Sequence, residues 1–279
     1  MTAEMVDQRP ALVRMLRSER IKLTSTNTWW IVAIVIIVST AIALSFNLFA
    51  AATDLSAALY STDAPADAID VVTSGQYAGA LCIMLLSILM IANEFRHQTA
   101  TATFLATPKR TTVIAGKFTM AMLLAGGIWF VTEFVDLVSA TLFYQHHHGM
   151  ALLKSAPVER AIVVNLMIYL LWAAFGVGIG TLIRSQIGAT ITSLLIYTTG
   201  VYVVEAIAYL FYLTVWHSHH VYQVLILIPG FAGGVAMSPG RTTFHGVSFF
   251  WWEGAIVMVA YGAAMIAIGT SILRKRDIS

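Results

Sequence analysis

Glu133 and Asp136 stand three residues apart inside one apolar run, and Glu205 lies inside another. A spacing of three puts the first two carboxylates on one helix face. A charge near the centre of a bilayer costs about 2.5–3.5 kcal/mol on insertion scales, so such residues face a bundle interior or a wet cavity. There the three would line a polar vestibule and could engage a cationic or hydrogen-bonding substrate. Glu133 and Asp136 also lie about 24–29 Å along a helix from Lys117, far enough to reach a membrane surface instead. Both placements are open at this point.

The eight histidines are His97, His146, His147, His148, His217, His219, His220 and His245. Imidazoles gathered in this way suit zinc or copper. No His-Glu-x-x-His pattern and no nearby thiol accompanies them, so they read as polar filling of wet loops and no metal ligand is assigned. Gly116-Lys117 resembles the end of a phosphate loop, but Thr111 stands where that loop needs glycine and Phe118 where it needs Ser or Thr for magnesium. The chain therefore has no ATP-binding motif and no cofactor of its own. It also lacks a nucleophile–base motif, and no enzymatic activity is expected.

The elements that must position these residues follow from composition. Of 279 residues, 58% are hydrophobic and 11% charged, with mean hydropathy +0.80, which leaves too little charge to coat a soluble particle. The class is an all-α integral membrane protein. Net charge of +2 gives no basis for a nucleic-acid partner, and none is expected. Cys82 is the single cysteine, so no disulfide can form within the chain. Polar and basic residues precede the first apolar run, which is longer than a signal-peptide core and reads as a retained span.

Six apolar runs are long enough to cross: 29–52, 75–92, 118–144, 161–183, 187–215 and 249–273. Trp29 and Trp30 open the first, where amphipathic rings favour the headgroup level. With the N-terminus inside, thirteen of the sixteen Lys and Arg fall on the cytoplasmic side, leaving Lys154, Arg160 and Arg241 outside. The positive-inside rule thus predicts both termini in the cytoplasm. The loop after the first span carries Asp54, Asp63, Asp67 and Asp70 and no basic residue.

Residues 10–25 repeat apolar positions at helical spacing with Arg17, Glu19 and Lys22 between them, a pattern that predicts an interfacial helix at anionic headgroups. Segment 216–248 holds apolar runs too short to cross, broken at Pro229-Gly230 and Pro239-Gly240. It predicts one or two short re-entrant helices in the outer leaflet. Gly75 with Gly79, and Gly176 with Gly180, have the spacing that lets helix backbones touch, either within the chain or between subunits.

Between the second and third spans lies a polar stretch, 93–110, that is too long for a turn. It begins Asn93-Glu94-Phe95-Arg96-His97-Gln98, contains four threonines and Phe104-Leu105, and ends Pro108-Lys109-Arg110. Threonine lowers helix propensity, so a helix here would be short and stabilised by docking. Pro108 would end it, with Lys109 and Arg110 anchoring the return to the bilayer.

Together, the basic start ending Ser18-Glu19-Arg20-Ile21-Lys22-Leu23, Trp29-Trp30, the Glu94-Phe95-Arg96-His97 stretch with the later Thr107-Pro108-Lys109-Arg110, the outer insertion and the Arg274-Lys275-Arg276 end resemble the ABC type-2 permease family, in particular its six-span actinobacterial members. The resemblance covers most of the chain. It implies the membrane half of an ATP-driven exporter in the cell membrane, moving a hydrophobic or amphiphilic substrate outward. It further implies pairing with a second permease, identical or related, on two copies of a separate ATP-binding subunit that carries the ATP and magnesium. Stretch 93–110 then looks like the family's coupling helix, with Glu94, Phe95, Arg96, His97, Phe104, Leu105, Pro108, Lys109 and Arg110 toward that subunit. The N-terminal helix would contact it as well. A gradient-driven secondary transporter is the alternative; it would show an inverted repeat, and the outer insertion before the last span has no counterpart before the third. The substrate itself is not named by any of these residues.

Overall fold

A computed structural model describes residues 11–53, 64–96, 110–146, 150–183 and 185–275, and about 86% of the structure is helical. In chain order the elements are α1 (Ala11–Thr24), α2 (Thr28–Ala52), α3 (Ala64–Val72), α4 (Gln76–Arg96), α5 (Arg110–His146), α6 (Ala156–Leu182) and α7 (Gln186–Phe211). A π turn (Tyr212–Trp216) extends α7, and a 3-10 helix (His219–Leu227) and α8 (Pro229–Met237) follow. A two-stranded hairpin, β1 (Arg241–Phe244) and β2 (Val247–Phe250), leads into α9 (Trp251–Lys275).

Local chemistry sets several boundaries. Ser185 caps α7 by accepting a hydrogen bond from the Gly188 N–H, and Pro229 opens α8 where a missing N–H costs nothing. The hairpin turns at His245-Gly246, both at positive φ (47° and 78°), which is the two-residue loop that matches strand twist.

Among the described residues, five stretches are long and apolar enough to cross a membrane: Thr28–Ala52, Pro65–Asn93, Ala115–His146, Ala156–Leu182 and Gln186–Trp216. They expose large apolar side chains such as Ile37, Ile42, Phe130, Phe134 and Ile187, a surface that only lipid or another apolar partner covers favourably. The chain is a multi-pass, all-α membrane protein in its main architecture. At the place of the expected last span, α9 is a 25-residue helix.

Helices α4 and α6 form the centre. Two thirds of each apolar window (67%) is buried, against 6% for α7, and their mutual contact is the most extensive in the molecule. Glycines make this possible. A Cβ on Gly176 would fall on the Met84 carbonyl oxygen and 2.8 Å from Ser87 Cβ, and one on Gly180 would meet Ile88 Cα at 3.3 Å. Gly79 similarly leaves room for the Tyr169 ring. Both glycine pairs thus serve close packing within the chain, the mode that small residues permit in lipid.

Several expectations need correction. Residues 93–96 continue α4 and Arg110 already begins α5, so the polar stretch shortens to 97–109. His97, Phe104, Leu105, Pro108 and Lys109 lie outside the described residues. Helix α5, with 37 residues, is about 55 Å long and outreaches a ~30 Å hydrocarbon core; it begins at Arg110 rather than at 118. The acidic loop after the first span contains α3, with Ala68, Ile69, Val71 and Val72 buried, and α6 begins at Ala156 rather than 161. Finally, segment 216–248, expected to hold one or two short helices, holds two of nine residues each, bent by 96°, and also β1 and the start of β2. Phe249 and Phe250 belong to β2, so the last helix starts at Trp251.

Candidate functional site

Three polar places stand out in the apolar bundle. The first joins α1 to α5 and α4. Glu19 and Met15 form the inward face of α1, 1% and 5% exposed, while Arg17 is exposed. Glu19 Oε1 accepts hydrogen bonds from Lys22 Nζ (2.9 Å) and from Lys117 Nζ (3.2 Å). Lys117 is buried and also donates to the Met90 carbonyl at 3.0 Å. One carboxylate oxygen is thereby shared by two ammonium groups, one of them 98 residues away. Beside this junction a cavity of about 280 Å³ opens between Glu19, Lys22, Leu86, Met90 and Asn93. Helix α1 is therefore tied to the two helices that flank residues 97–109.

The second place is some 21 Å along α4, counting about 1.5 Å per residue from Met90 to Gln76. Asp136 Oδ2 accepts the Gly75 N–H at 2.9 Å, placing a carboxylate at the N-terminus of α4, where free backbone donors and the helix dipole favour negative charge. Tyr169 donates to the Gly75 carbonyl (2.9 Å) and pairs with Thr132 (3.0 Å). One turn away, Glu133 Oε2 accepts from Asn165 Nδ2 at 2.7 Å. Glu133 and Asp136 are 3% and 1% exposed. They hold α5, α6 and the start of α4 together in one buried network.

The third place is a cavity of about 420 Å³ between the N-terminal end of α4, the C-terminal half of α7, α8 and β1. Tyr77, Trp172, Tyr197, Tyr202 and Phe231 supply aromatic walls, and Glu205 supplies a carboxylate. Tyr77 and Tyr197 rings lie 5.0 Å apart, Trp172 and Tyr197 rings 4.6 Å. His245, at the hairpin tip, reaches Glu205 Oε1 with Nε2 at 3.0 Å and lies over the Tyr222 ring at 4.5 Å.

Of the three carboxylates picked out for a substrate pathway, only Glu205 thus lines this cavity. Glu133 and Asp136 are engaged between helices. Among the described residues no group of three or more His, Cys, Asp or Glu is placed to hold a metal. Three of the histidines there have separate partners: His146 with the Leu142 carbonyl, His220 with Gln223, His245 with Glu205. Glu94, Phe95 and Arg96 lie in the last turn of α4 and Arg110 in the first of α5.

Lys117, Asn165 and Tyr169 were not foreseen as functional residues. An isolated lysine beside apolar residues and an asparagine deep in an apolar run are themselves signals, because each needs a partner in lipid. The hairpin was legible in Thr242-Thr243-Phe244, His245-Gly246 and Val247-Ser248-Phe249: β-branched and aromatic residues flanking a turn dipeptide. No protein-family model matches the chain, and no curated protein is found to be similar to it.

Proposed function

We propose that this chain is the membrane-embedded permease subunit of an ATP-driven exporter in the cell membrane, of the ABC type-2 kind. Six spans place both termini in the cytoplasm, and residues 97–109 with the adjoining turns of α4 and α5 dock on a separate ATP-binding subunit. Two permeases, identical or related, pair above two such subunits, and a hydrophobic or amphiphilic molecule moves outward between them.

The observation that carries this reading is the Glu19–Lys117 junction. It ties the basic amphipathic helix to the root of α5 and, through the Met90 carbonyl, to the end of α4. A push on the polar stretch would then move α1, α4 and α5 as one body, and α4 is one of the two helices that form the bundle centre. ATP binding elsewhere would favour one of two packings of these helices. The chain's own residues supply no phosphate loop, which agrees with a motor on another chain.

The test is capture of the tagged chain from membranes, with identification of co-purified ATP-binding subunits and their ATPase rate. Glu94→Ala and Phe104→Ala are expected to weaken assembly or lower the ATPase rate at least severalfold. If both variants assemble and turn over as the unmodified chain does, the docking assignment is wrong.

A further inference from the structure

The cavity beside α7 has a composition that selects a ligand by charge. Its volume, about 420 Å³, falls in the ~300–1,000 Å³ range of small-molecule sites. Among the described residues lining it, Glu205 is the only one with a formal charge. Arg241 is adjacent in sequence to the lining residue Thr242, but its guanidinium lies over the Phe250 ring at 5.3 Å instead. The walls are aromatic, and aromatic faces carry the negative lobe of the ring quadrupole. A carboxylate in low dielectric favours a positive partner. An anion would meet repulsion from both, whereas a neutral apolar molecule would gain nothing from the carboxylate.

The carboxylate already has an internal partner. His245 bonds to Glu205 Oε1 from the tip of the hairpin, in a left-handed backbone conformation (φ 47°). Its ring is stacked on Tyr222. Phe244 and Phe249 of the same hairpin pack on Phe231 of the cavity wall at 5.5 and 5.4 Å. The Glu205 side chain is nonetheless 30% exposed, so a ligand can reach it.

We infer that this cavity binds a monovalent lipophilic cation, with Glu205 as its counter-charge and His245 as the group it displaces. The carboxylate bonds either the imidazole or the incoming cation, so binding loosens the hairpin. This deepens the exporter reading and rests on it only for what becomes of the bound molecule; occupancy of the site needs no ATP and no second chain.

The experiment measures equilibrium binding of radiolabelled tetraphenylphosphonium to the full chain in phosphatidylcholine nanodiscs, with empty nanodiscs subtracted. Tetraphenylborate, an anion of nearly the same size and shape, is the charge control. Saturable binding of the cation and none of the anion is expected. Glu205→Gln should weaken it about tenfold or more, the scale of a lost charge-assisted contact, with Glu205→Asp retaining most of it. His245→Ala should tighten binding severalfold, and Val201→Trp, which fills the cavity, should abolish it. Equal binding of anion and cation, unchanged binding by Glu205→Gln in a folded protein, or no saturable binding by the unmodified chain would overturn the assignment. Each of those outcomes leaves the ATP-subunit capture experiment unaffected, so the two readings fail separately.

Discussion

Lys117 and Glu19 are 98 residues apart in the chain and 3.2 Å apart in space, both almost fully buried. A buried pair need not add net stability, but removing one charge leaves the other less fully compensated in low dielectric. A double-mutant cycle with Glu19→Gln and Lys117→Met should therefore give a coupling of about 1–3 kcal/mol, read from thermal unfolding in detergent. Additive effects would mean that the two side chains do not depend on each other. Asp136 acts differently, as an acceptor at the start of α4. Asp136→Ala should cost about 1–2 kcal/mol, the range of a lost helix cap, and Asp136→Asn clearly less, because its side-chain oxygen still accepts. The spacing of Glu133 and Asp136 showed that they share a face. It could not show which neighbours that face meets, because Asn165 and Gly75 arrive from other parts of the chain. Lys117 was visible too, but only as a failed phosphate loop; its acceptors Glu19 and Met90 lie in α1 and α4.

At the scale of elements, hydrophobic run length located the long helices well, since about twenty apolar residues in a row have few other uses. Ends were harder. Arg110 begins α5 because nothing in Arg110-Thr111-Thr112-Val113 stops a helix once Pro108 has been passed. Helix α3 was hidden because its aspartates suggested a wet loop, whereas Ala68, Ile69, Val71 and Val72 turn inward. The α4–α6 seam gives a sharp contrast between glycines. Gly176→Leu would drive a side chain into the Met84 backbone and should cost at least about 1–3 kcal/mol. Gly126→Ala meets nothing within 4 Å and should stabilise α5 by about 0.5–1 kcal/mol. Melting temperatures of the two variants should move in opposite directions; a shared direction would show that the seam is not packed as described.

For the whole molecule, charge asymmetry predicts sidedness. In a Cys82→Ser background, His220→Cys should react with a membrane-impermeant maleimide applied to intact cells, and Ser18→Cys should react only after lysis. The reverse pattern would invert the topology and remove the polar stretch from any cytoplasmic partner. That stretch is also where reading of the sequence reaches furthest beyond the described structure. In the proposed reading its meaning depends on a surface belonging to another chain, which neither helix packing within this chain nor its run of threonines displays. The central claim is that ATP hydrolysed by a docked subunit drives outward movement through this permease. It is tested most directly in inverted membrane vesicles containing the chain and its ATP-binding partner, by following accumulation of labelled tetraphenylphosphonium. Accumulation should require ATP, stop with a non-hydrolysable analogue and fall severalfold with Phe104→Ala. Accumulation that proceeds without ATP on an imposed ion gradient, and is indifferent to Phe104→Ala, would contradict it.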